Sequence, residues 1–561
     1  MKHSSSTLAP VSPRAGVHPE ARHDERRGGE GADRCEPEAS DWPSPPARTG
    51  HERMRVMVEM RPALEGFAGI PQEVRLLFAG LRRIDELEVS GMLQTSHRML
   101  SGGASPRQLR RNNRSQLLNR QSKVIVSLAE TPFGPVIDRV ARYLRRKLNA
   151  LFLVILVSVG LGRIRLGHFD SRLFRDFAWR TLFDKTLPDS DFGTVASSRF
   201  RICSVPWHTM HLAGLSTLAW RKVALYPQLR SEDVDLFIAQ TPYPGRISPR
   251  TRMIVRYHDA IPVLLPHTIP DKSIHQATHF HALQANVRAG AWFACVSEAT
   301  RRDLLTLFPE AEARSVTIHN MVSPAYFPQE AAPEKVPGII RARLHEGDAG
   351  KGVSVSPAFL TNTERENFYR RHLEGAPLRY LLVVSTIEPR KNHNRLVSAW
   401  ERIRAAADPD LKLVVVGGLG WDYQRTLARF SSWIERGQLF MLSAVPSPDL
   451  RVLYRNAQVT VCPSFAEGFD FSGVEAMRSG GCVVASDIAV HREVYDDAAL
   501  YFSPYSTGAL VDVLARALDG EAGEARRADL RRRGEVVARR YLPEAILPRW
   551  RDFLRQMGDK P

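Results

Sequence analysis

Apolar runs and amphipathic segments alternate along most of the chain. Short, almost uninterrupted apolar runs predict strands at 235–240, 252–259, 291–298, 315–320, 379–387, 411–418, 439–445, 459–464 and 482–487. Segments whose apolar residues recur with helical spacing predict helices at 275–290, 299–308, 393–406, 424–437, 447–457, 472–480 and 545–557. Strands that alternate with helices form parallel βαβ units, and strands this apolar are buried on both faces of a sheet.

The chain changes in character at Met54. Residues 1–53 are rich in Ser, Pro, Gly, Arg and Glu, show no periodicity, and are predicted to form a disordered tail. From Met54, a β-type run leads into a loop with Gly66 and Gly69 and then into a helix that contains Val74 and Leu77. This is the strand, glycine loop and helix that open a nucleotide-type α/β domain. We therefore expect Met54 to be the natural start of the protein.

The α/β fold class predicted here consists of two doubly wound, Rossmann-like domains that face a central cleft. The first domain covers 54–327 and carries basic insertions, of which residues 105–123 are expected to be an exposed loop or insertion. Residues 328–376 are polar and are expected to be a linker or insertion, the second domain covers 377–544, and a terminal helix occupies 545–561. Ligands of such sheets bind at the carboxyl ends of the strands, which places the expected site in the cleft.

Composition narrows the choice of partners. The formal net charge of +17 favours a polyanionic neighbour, which is nucleic acid, an anionic membrane surface or a phosphate-bearing ligand. Five scattered cysteines without metal-like spacing argue against a disulfide framework or a zinc site and favour a reducing compartment. The first 30 residues lack the apolar region of a secretory signal. We expect a cytoplasmic protein.

The longest uncharged apolar stretch, residues 148–162, falls short of the roughly 20 residues that span a bilayer. It follows the basic run 139–147. We expect this stretch to be a buried helix or strand of the core. The alternative is an element that lies on a membrane with its basic flank toward anionic lipid.

Charged side chains follow predicted strands in both domains. Arg390 and Lys391 come just before a helix, where cations and helix amides together bind an anion such as a diphosphate. A basic pair on a solvated turn would give the same pattern. His258, followed by Asp259, ends a strand of the first domain and could hydrogen-bond a substrate or transfer a proton, although a structural histidine is the alternative.

Two glutamates, Glu467 and Glu475, lie in the segment SFAEGFDFSGVEAMRSGG. Carboxylates accept hydrogen bonds from hydroxyls, so the pair suits a sugar and a ribose, unless both are solvated surface charges. Gly468 lets the backbone approach a ligand closely. Together with the two cations, these residues predict a sugar-nucleotide cleft. The chain has neither a GxxxxGK[ST] phosphate loop nor an acidic cluster, so no metal is expected.

These segments resemble a known family. The segment SFAEGFDFSGVEAMRSGGCVVASD resembles the E-x7-E signature of the retaining GT-B glycosyltransferases of family GT4, and STIEPRKN resembles their G-T-x-E-P-R-K-N segment. The blocks VGGLGWDYQRTL, VRYHDAIPVLLP, CVSEATRRDLL and SVTIHN are also similar to the family. The resemblance is dense from about 235 to 504, outside the linker, and implies a GT-B fold.

The resemblance implies a role for each candidate. Glu467 would contact hydroxyls of the transferred sugar, and Glu475 would bind the nucleotide ribose. Arg390 and Lys391 would hold the donor diphosphate and stabilise the charge of the leaving group. His258 would contact the donor sugar or the acceptor. The other donor-binding positions that it implies are Gly468, Phe469, Asp470, Phe471, Ser472 and Gly69.

Four further expectations come from the family. Its members usually retain the anomeric configuration and need no metal. The first domain would form the acceptor side, and the last helix would cross back to it. Where the family reads E-G-F-G-L-P, however, Asp470 replaces a glycine and Ser472 a proline. Aspartate tolerates a positive φ, but its charge near a diphosphate is unfavourable unless it points away or meets a donor hydroxyl.

We therefore expect a hexosyltransferase that moves a sugar from a nucleotide-diphosphate donor to a glycan or lipid-linked acceptor in polysaccharide biosynthesis, peripherally at the inner face of the membrane. GDP-mannose is the first choice of donor, because EPRKN resembles the mannosyltransferase branch. Rhamnosyl, glucosyl and galactosyl donors remain open. The alternatives are a GT-B sugar-nucleotide epimerase, which the E-x7-E pair disfavours, and a non-catalytic nucleic-acid-binding protein, for which no module is readable.

Overall fold

Two sheets of mainly parallel strands form the framework of the computed structural model. The structure describes residues 53–64, 66, 69–105, 108, 113–128, 136–330, 332–344, 355–375 and 377–558. The predicted tail therefore lies outside the described residues, apart from Arg53 at its end. The two sheets confirm the predicted α/β class with two Rossmann-like domains.

Among the described residues, the first part of the chain contributes ten strands. They are β1 Met54–Glu59, β2 Leu87–Leu93, β3 Arg163–Arg165, β4 Gly167–Asp170, β5 Arg199–Ile202, β6 Gln228–Arg230, β7 Leu236–Ala239, β8 Arg252–Tyr257, β9 Trp292–Cys295 and β10 Ser315–Thr317. Eight of them form one sheet in the order β10-β9-β8-β7-β1-β2-β5-β4, while β3 pairs with β6. Within the eight-stranded sheet, the β4–β5 pair is antiparallel and the other pairs are parallel.

The second sheet has six strands. They are β11 Tyr380–Val384, β12 Lys412–Val416, β13 Leu439–Leu442, β14 Val459–Cys462, β15 Val483–Ser486 and β16 Ala499–Phe502, in the order β13-β12-β11-β14-β15-β16. Along β11, Tyr380 and Leu382 join one hydrophobic cluster, whereas Leu381 and Val383 join the cluster on the other face. Both faces of this sheet are therefore covered, as its continuous apolar strands predict.

Helices connect these strands. Those before and beside the first sheet are α1 Ile70–Leu81, α2 Arg114–Leu128, α3 Val136–Ser158, α4 Arg175–Ala178, α5 Phe192–Val195, α6 Trp207–Ser216, α7 Ile261–Leu264, α8 Lys272–Arg288 and α9 Glu298–Leu307. Those that follow are α10 Lys335–Arg343, α11 Asn362–Leu373, α12 His393–Ala406, α13 Gln424–Glu435, α14 Ser447–Asn456, α15 Phe471–Arg478, α16 Ala489–Tyr495, α17 Thr507–Leu518, α18 Gly520–Arg539 and α19 Pro543–Gly558. None of the helices in the described part of the chain combines the length and hydropathy needed to cross a membrane.

The structure corrects two predictions about the basic region before β3, the first of them only in part. Much of the predicted loop 105–123 belongs to α2, whose buried residues Gln121, Val124 and Leu128 recur with helical spacing among polar ones. The stretch 148–162, predicted to be buried, forms the end of α3 and the turn after it. Leu153 and Val157 are buried there, but most of its other apolar side chains are exposed, because the apolar residues encircle the helix while only one side packs on the protein.

The range predicted as a linker contains two helices. Val336, Ile339 and Ile340 of α10, and Tyr369 and Leu373 of α11, are buried in the hydrophobic cluster on one face of the second sheet. Their few apolar residues are spaced for a helix, although the segment is polar as a whole. The segment thus contributes to the core beside the second sheet.

The terminal helix α19 packs against the first sheet. It contributes five buried side chains: Ile546, Trp550, Phe553, Leu554 and Met557. They belong to the same hydrophobic cluster as β1 and α1 residues such as Val56 and Leu77. The guanidinium of the fully buried Arg256, on β8, lies 5.3 Å from the Trp550 ring centre and 3.0 Å from a carboxylate oxygen of Glu73 on α1. We call the part built on the first sheet, with α19, the N-lobe, and the part built on the second sheet the C-lobe.

Candidate active site

Two neighbouring C-lobe strands bring the predicted cations and the first glutamate together. Strands β11 and β14 pair in parallel, so the loops that follow them leave the same edge of the sheet. Lys391 Nζ lies 2.6 Å from Glu467 Oε1, and Arg390 donates to Glu467 Oε2. Both carboxylate oxygens of Glu467 are therefore paired with a cation from the adjacent loop.

Further hydrogen bonds fix this pair of loops. Arg390 donates to Glu388 Oε1 and to the carbonyl oxygen of Ala466, both at 2.7 Å. Asn392 adopts a left-handed backbone with φ of 57°, and its side chain donates to the carbonyl oxygens of Pro463 and Pro504. The guanidinium is thus held on three sides before any ligand enters.

The charges at this centre support one another. Burial by itself would raise the pKa of Glu467, but Arg390 and Lys391 outweigh it and hold the pKa below its ordinary value. Burial likewise disfavours the charged form of Arg390, yet Glu467 and Glu388 raise its pKa above the ordinary range. Burial raises the pKa of Glu388. The centre is an ion cluster in which an entering anion could replace Glu467 as partner of the cations.

Glu475 lies on α15 and is buried at the contact between the lobes. Its Oε1 accepts a 2.8 Å hydrogen bond from Nε2 of Gln72, and its Oε2 accepts from the Tyr454 hydroxyl at 3.3 Å. Burial raises the pKa of Glu475 to about 7. Gln72 lies in the first turn of α1. This helix begins directly after Gly69, whose φ is 72°. The glycine loop of the N-lobe therefore leads to the carboxylate expected at the ribose.

His258 follows β8 and lies at the same contact. Burial and the charge of Arg256 lower its pKa to about 3, so the imidazole is neutral at physiological pH. Its Nε2 is buried and has no hydrogen-bond partner among the described residues. A Cβ atom at Gly468 would stand 1.7 Å from the carbonyl oxygen of His258. Glycine is required there because two loops from different lobes touch through their backbones.

The Asp470 carboxylate makes its contacts within the C-lobe. It has an extended backbone with φ of −97°, and its carboxylate caps α15 by accepting from the Ser472 amide and hydroxyl at 3.1 and 2.6 Å. Its Oδ2 also lies 3.3 Å from His491 Nε2. Burial alone would raise its pKa, but the His491 hydrogen bond and the charge of Lys391 hold it well below the ordinary value. The positive φ considered for this position is absent.

The remaining predicted donor contacts divide into two kinds. Phe469 and Phe471 are buried in the C-lobe core with ring centres 5.1 Å apart, so their side chains support the loop from inside. Ser472 is part of the Asp470 cap. Gly468 stands at the lobe contact against His258, whereas Gly69 caps the start of α1, three residues before Gln72.

The sequence did not single out three partners of the candidate residues. Glu388 stands two positions before Arg390, inside EPRKN, so its position offered a signal. Gln72 follows the glycine loop within one helical turn, which is a weaker signal. Tyr454 comes from α14 and carries no sequence signal, because its contact with Glu475 depends on how two helices pack.

Parts of the chain are similar in sequence to known proteins. Residues 364–536 match the family model described as Glycosyl transferases group 1. The chain is 25% identical over 271 residues to O-antigen chain mannosyltransferase B of Escherichia coli, which covers 48% of this chain and 62% of that protein. It is 30% identical over 147 residues to O-antigen chain mannosyltransferase RfbU of Salmonella typhimurium, which covers 26% of this chain and 37% of that protein. The chain thus matches under two thirds of the length of these relatives.

A solved structure is similar over most of the chain. Sucrose-phosphate synthase from Thermosynechococcus elongatus superposes with a TM-score of 0.50 at 14% identity, covering 90% of this chain and 99% of that one. At this identity the likeness concerns the fold alone. It confirms the predicted GT-B arrangement of two Rossmann-like domains.

Proposed function

We propose, from the premise that residues 364–536 form a group 1 glycosyltransferase domain, that this protein transfers a hexosyl unit from a nucleotide-diphosphate sugar to a glycan or lipid-linked acceptor in polysaccharide biosynthesis. The observation that carries the proposal is the cluster of Arg390, Lys391 and Glu467 at the carboxyl ends of two adjacent strands. Mannose is the proposed sugar, because several relatives are named mannosyltransferases.

The proposed donor pose uses the partners that the site already pairs. Donor phosphates take the place of Glu467 on Arg390 and Lys391, which frees the Glu467 carboxylate for hydroxyls of the sugar. The ribose hydroxyls reach Glu475, where Gln72 now donates. The fixed cations then meet the charge that develops on the leaving diphosphate, and preorganised charge of this kind lowers the barrier without reorganisation.

The proposed transfer retains the anomeric configuration. The bond between the anomeric carbon and the diphosphate oxygen breaks, the acceptor oxygen attacks from the same face, and the acceptor proton passes to the departing diphosphate. Neutral His258, with its pKa lowered to about 3, fits a hydrogen-bonding contact to sugar or acceptor better than proton transfer. We expect no metal requirement, and we expect the enzyme to work in the cytoplasm with peripheral membrane contact.

A donor screen tests the proposal. The purified protein is mixed with GDP-mannose, UDP-glucose, UDP-galactose, a rhamnosyl donor and the bare diphosphates, and the apparent melting temperature is measured. A donor that binds only the native state raises this temperature, and the donor selected is then followed for sugar transfer with and without chelator.

The matched variants are Glu467→Gln and Glu435→Gln, the latter at an exposed glutamate that ends α13. We expect Glu467→Gln to abolish most transfer and Glu435→Gln to keep it. A protein that no sugar nucleotide stabilises would contradict the proposal. Release of epimerised sugar nucleotide without acceptor would replace transferase by epimerase.

A further inference from the structure

Helix α3 presents an exposed apolar face outside the candidate active site. Seven large apolar side chains, the last of them directly after the helix, are each more than half exposed and recur at intervals that place them along one side: Val140, Leu144, Leu148, Leu151, Phe152, Ile155 and Val159. Exposed apolar patches of this extent mark interaction sites on soluble proteins. Leu161, in the turn that follows, extends the patch.

The opposite side of the helix is anchored to the N-lobe. Leu153 and Val157 are buried in a small cluster with Ala213 of α6. Asn149 lies within hydrogen-bonding distance of Met99, in the loop after β2. The apolar face is therefore presented by a packed helix with a fixed orientation.

The sequence around this helix is strongly basic. Between positions 101 and 147 the sequence has eleven basic and two acidic residues, which is more than half of the excess behind the +17 net charge. Lys147 is exposed on α3 itself. A cavity of about 660 Å³ opens nearby, since Ser101 in its lining is two residues from Met99, and Arg120, Lys123 and Arg165 also line it.

We propose that the apolar face of α3 docks onto the surface of an anionic phospholipid bilayer. The apolar side chains enter the headgroup and upper acyl region, while Lys147 and the cations of the cavity meet lipid phosphates. A helix whose apolar side faces lipid and whose other side packs on protein lies in the plane of the membrane.

The observations favour lipid over other occupants. A nucleic acid would satisfy the cations but leave seven large apolar side chains against a polar ligand. A second copy of the chain would cover the apolar face but would bring two strongly basic segments together, because a two-fold interface juxtaposes the same surface of both copies. An anionic bilayer offers phosphates to the cations and an apolar region to the exposed apolar side chains.

The test is sedimentation with vesicles, in the absence of donor or acceptor, so its result does not depend on glycosyl transfer. The full chain is mixed with vesicles of phosphatidylcholine alone or with phosphatidylglycerol added. We expect binding only to the anionic vesicles, with weaker binding as NaCl rises from about 0.05 to about 0.5 M. We expect Leu148→Asp to lower the partition coefficient about tenfold.

The control is Val536→Asp on α18, since Val536 and Leu148 are 63% and 65% exposed and the substitution adds the same charge. This variant should bind vesicles like the wild type. Wild-type protein that stays in the supernatant with anionic vesicles overturns the proposal. Equal vesicle binding by the two variants also overturns it. A wild-type protein that does not bind vesicles but forms a dimer, which Leu148→Asp dissociates, overturns it as well.

Discussion

Gln72 of the N-lobe donates a 2.8 Å hydrogen bond to Glu475 of the C-lobe, although the two residues are 403 positions apart in sequence. Both side chains are buried. The carboxylate proposed for the ribose is therefore held by the opposite lobe. A ribose that binds there replaces or shares this bond, which links donor binding to the contact between the lobes.

Replacing Gln72 by leucine should destabilise the unliganded protein. The substitution removes the donor from a buried carboxylate oxygen, and an unsatisfied buried acceptor costs about 1–3 kcal/mol. We expect the free energy of unfolding in urea to fall by that amount. The control is Gln424→Leu, at an exposed glutamine that begins α13, which should change stability far less. Equal effects of both variants would contradict a stabilising lobe contact.

The raised pKa of Glu475 predicts a pH dependence of stability. Its pKa rises from 4.5 to about 7 on folding, so between these values the folded protein binds more protons than the unfolded chain. The free energy of unfolding therefore falls as pH increases from about 4.5 to about 7. At about 1.4 kcal/mol per pKa unit, the loss of stability over this pH range is on the order of 3–4 kcal/mol.

Glu475→Gln removes this contribution. Urea unfolding at pH values near 5 and 8 should show a smaller loss of stability in the variant than in the wild type. Glu73, whose pKa burial also raises to about 7, keeps part of the slope in both proteins. Glu435→Gln should retain the wild-type slope, and an unchanged slope in Glu475→Gln would refute the assignment.

Glu467→Gln should separate turnover from phosphate binding. Glu467 pairs with both Arg390 and Lys391, so its neutralisation removes the carboxylate that competes with phosphate for these cations. We expect equal or tighter calorimetric binding of GDP or UDP, with kcat lowered by about 10² or more, the range seen when one preorganised group is removed. Weaker diphosphate binding with unchanged kcat would show that the roles are misassigned.

Asp470 should matter for stability more than for the donor. Asp470→Ala removes the cap of α15 and the carboxylate next to His491, and loss of a cap costs about 1 kcal/mol. Asp470→Asn keeps a capping oxygen and should lose less. Chemical unfolding measures both, and titration with nucleoside diphosphate should show nearly unchanged affinity. A large loss of affinity in both variants would place Asp470 at the donor instead.

Trp550 should be essential for the N-lobe. It is fully buried in the cluster that includes β1 and α1, and its ring lies beside Arg256. Trp550→Ala should cost about 3–5 kcal/mol, the usual range for a buried tryptophan. The neighbouring exposed residue offers the control, Arg551→Ala. Hydrogen exchange should increase in β1 and α1 of Trp550→Ala, and a purely local effect on α19 would argue against a shared core.

The sequence predicted the C-lobe better than the N-lobe for a physical reason. Helix α12 has the predicted bounds 393–406, and the strands around it coincide with continuous apolar runs. Burial on both faces of a sheet makes such runs easy to read. Helix α3 is an exception to the assumption that apolar residues are buried, because most of its apolar residues face away from the protein. The spacing of apolar residues predicts a helix, but it does not show whether protein, solvent or another partner covers each face of that helix.

In the candidate site, contacts within the C-lobe could also be predicted better than contacts between the lobes. Arg390, Lys391 and Glu467 could be placed together because parallel strands end at one edge of a sheet. The bond between Gln72 and Glu475 depends on how two lobes meet, which no local pattern encodes. Asp470 looked anomalous for a similar reason, since its partner His491 belongs to the next helix, beyond a strand.

The path of α19 sets the order in which the protein can mature during synthesis. The N-lobe core is built from residues near Val56 together with residues 546–557, so its last wall leaves the ribosome about 490 residues after its first. The C-lobe cluster that spans Val355 to Ala517 is complete before that moment. Domains usually fold as units in the order of synthesis, whereas here the half made first is finished last. The apolar surface of the nascent N-lobe that α19 covers in the finished protein therefore stays uncovered until the end of translation.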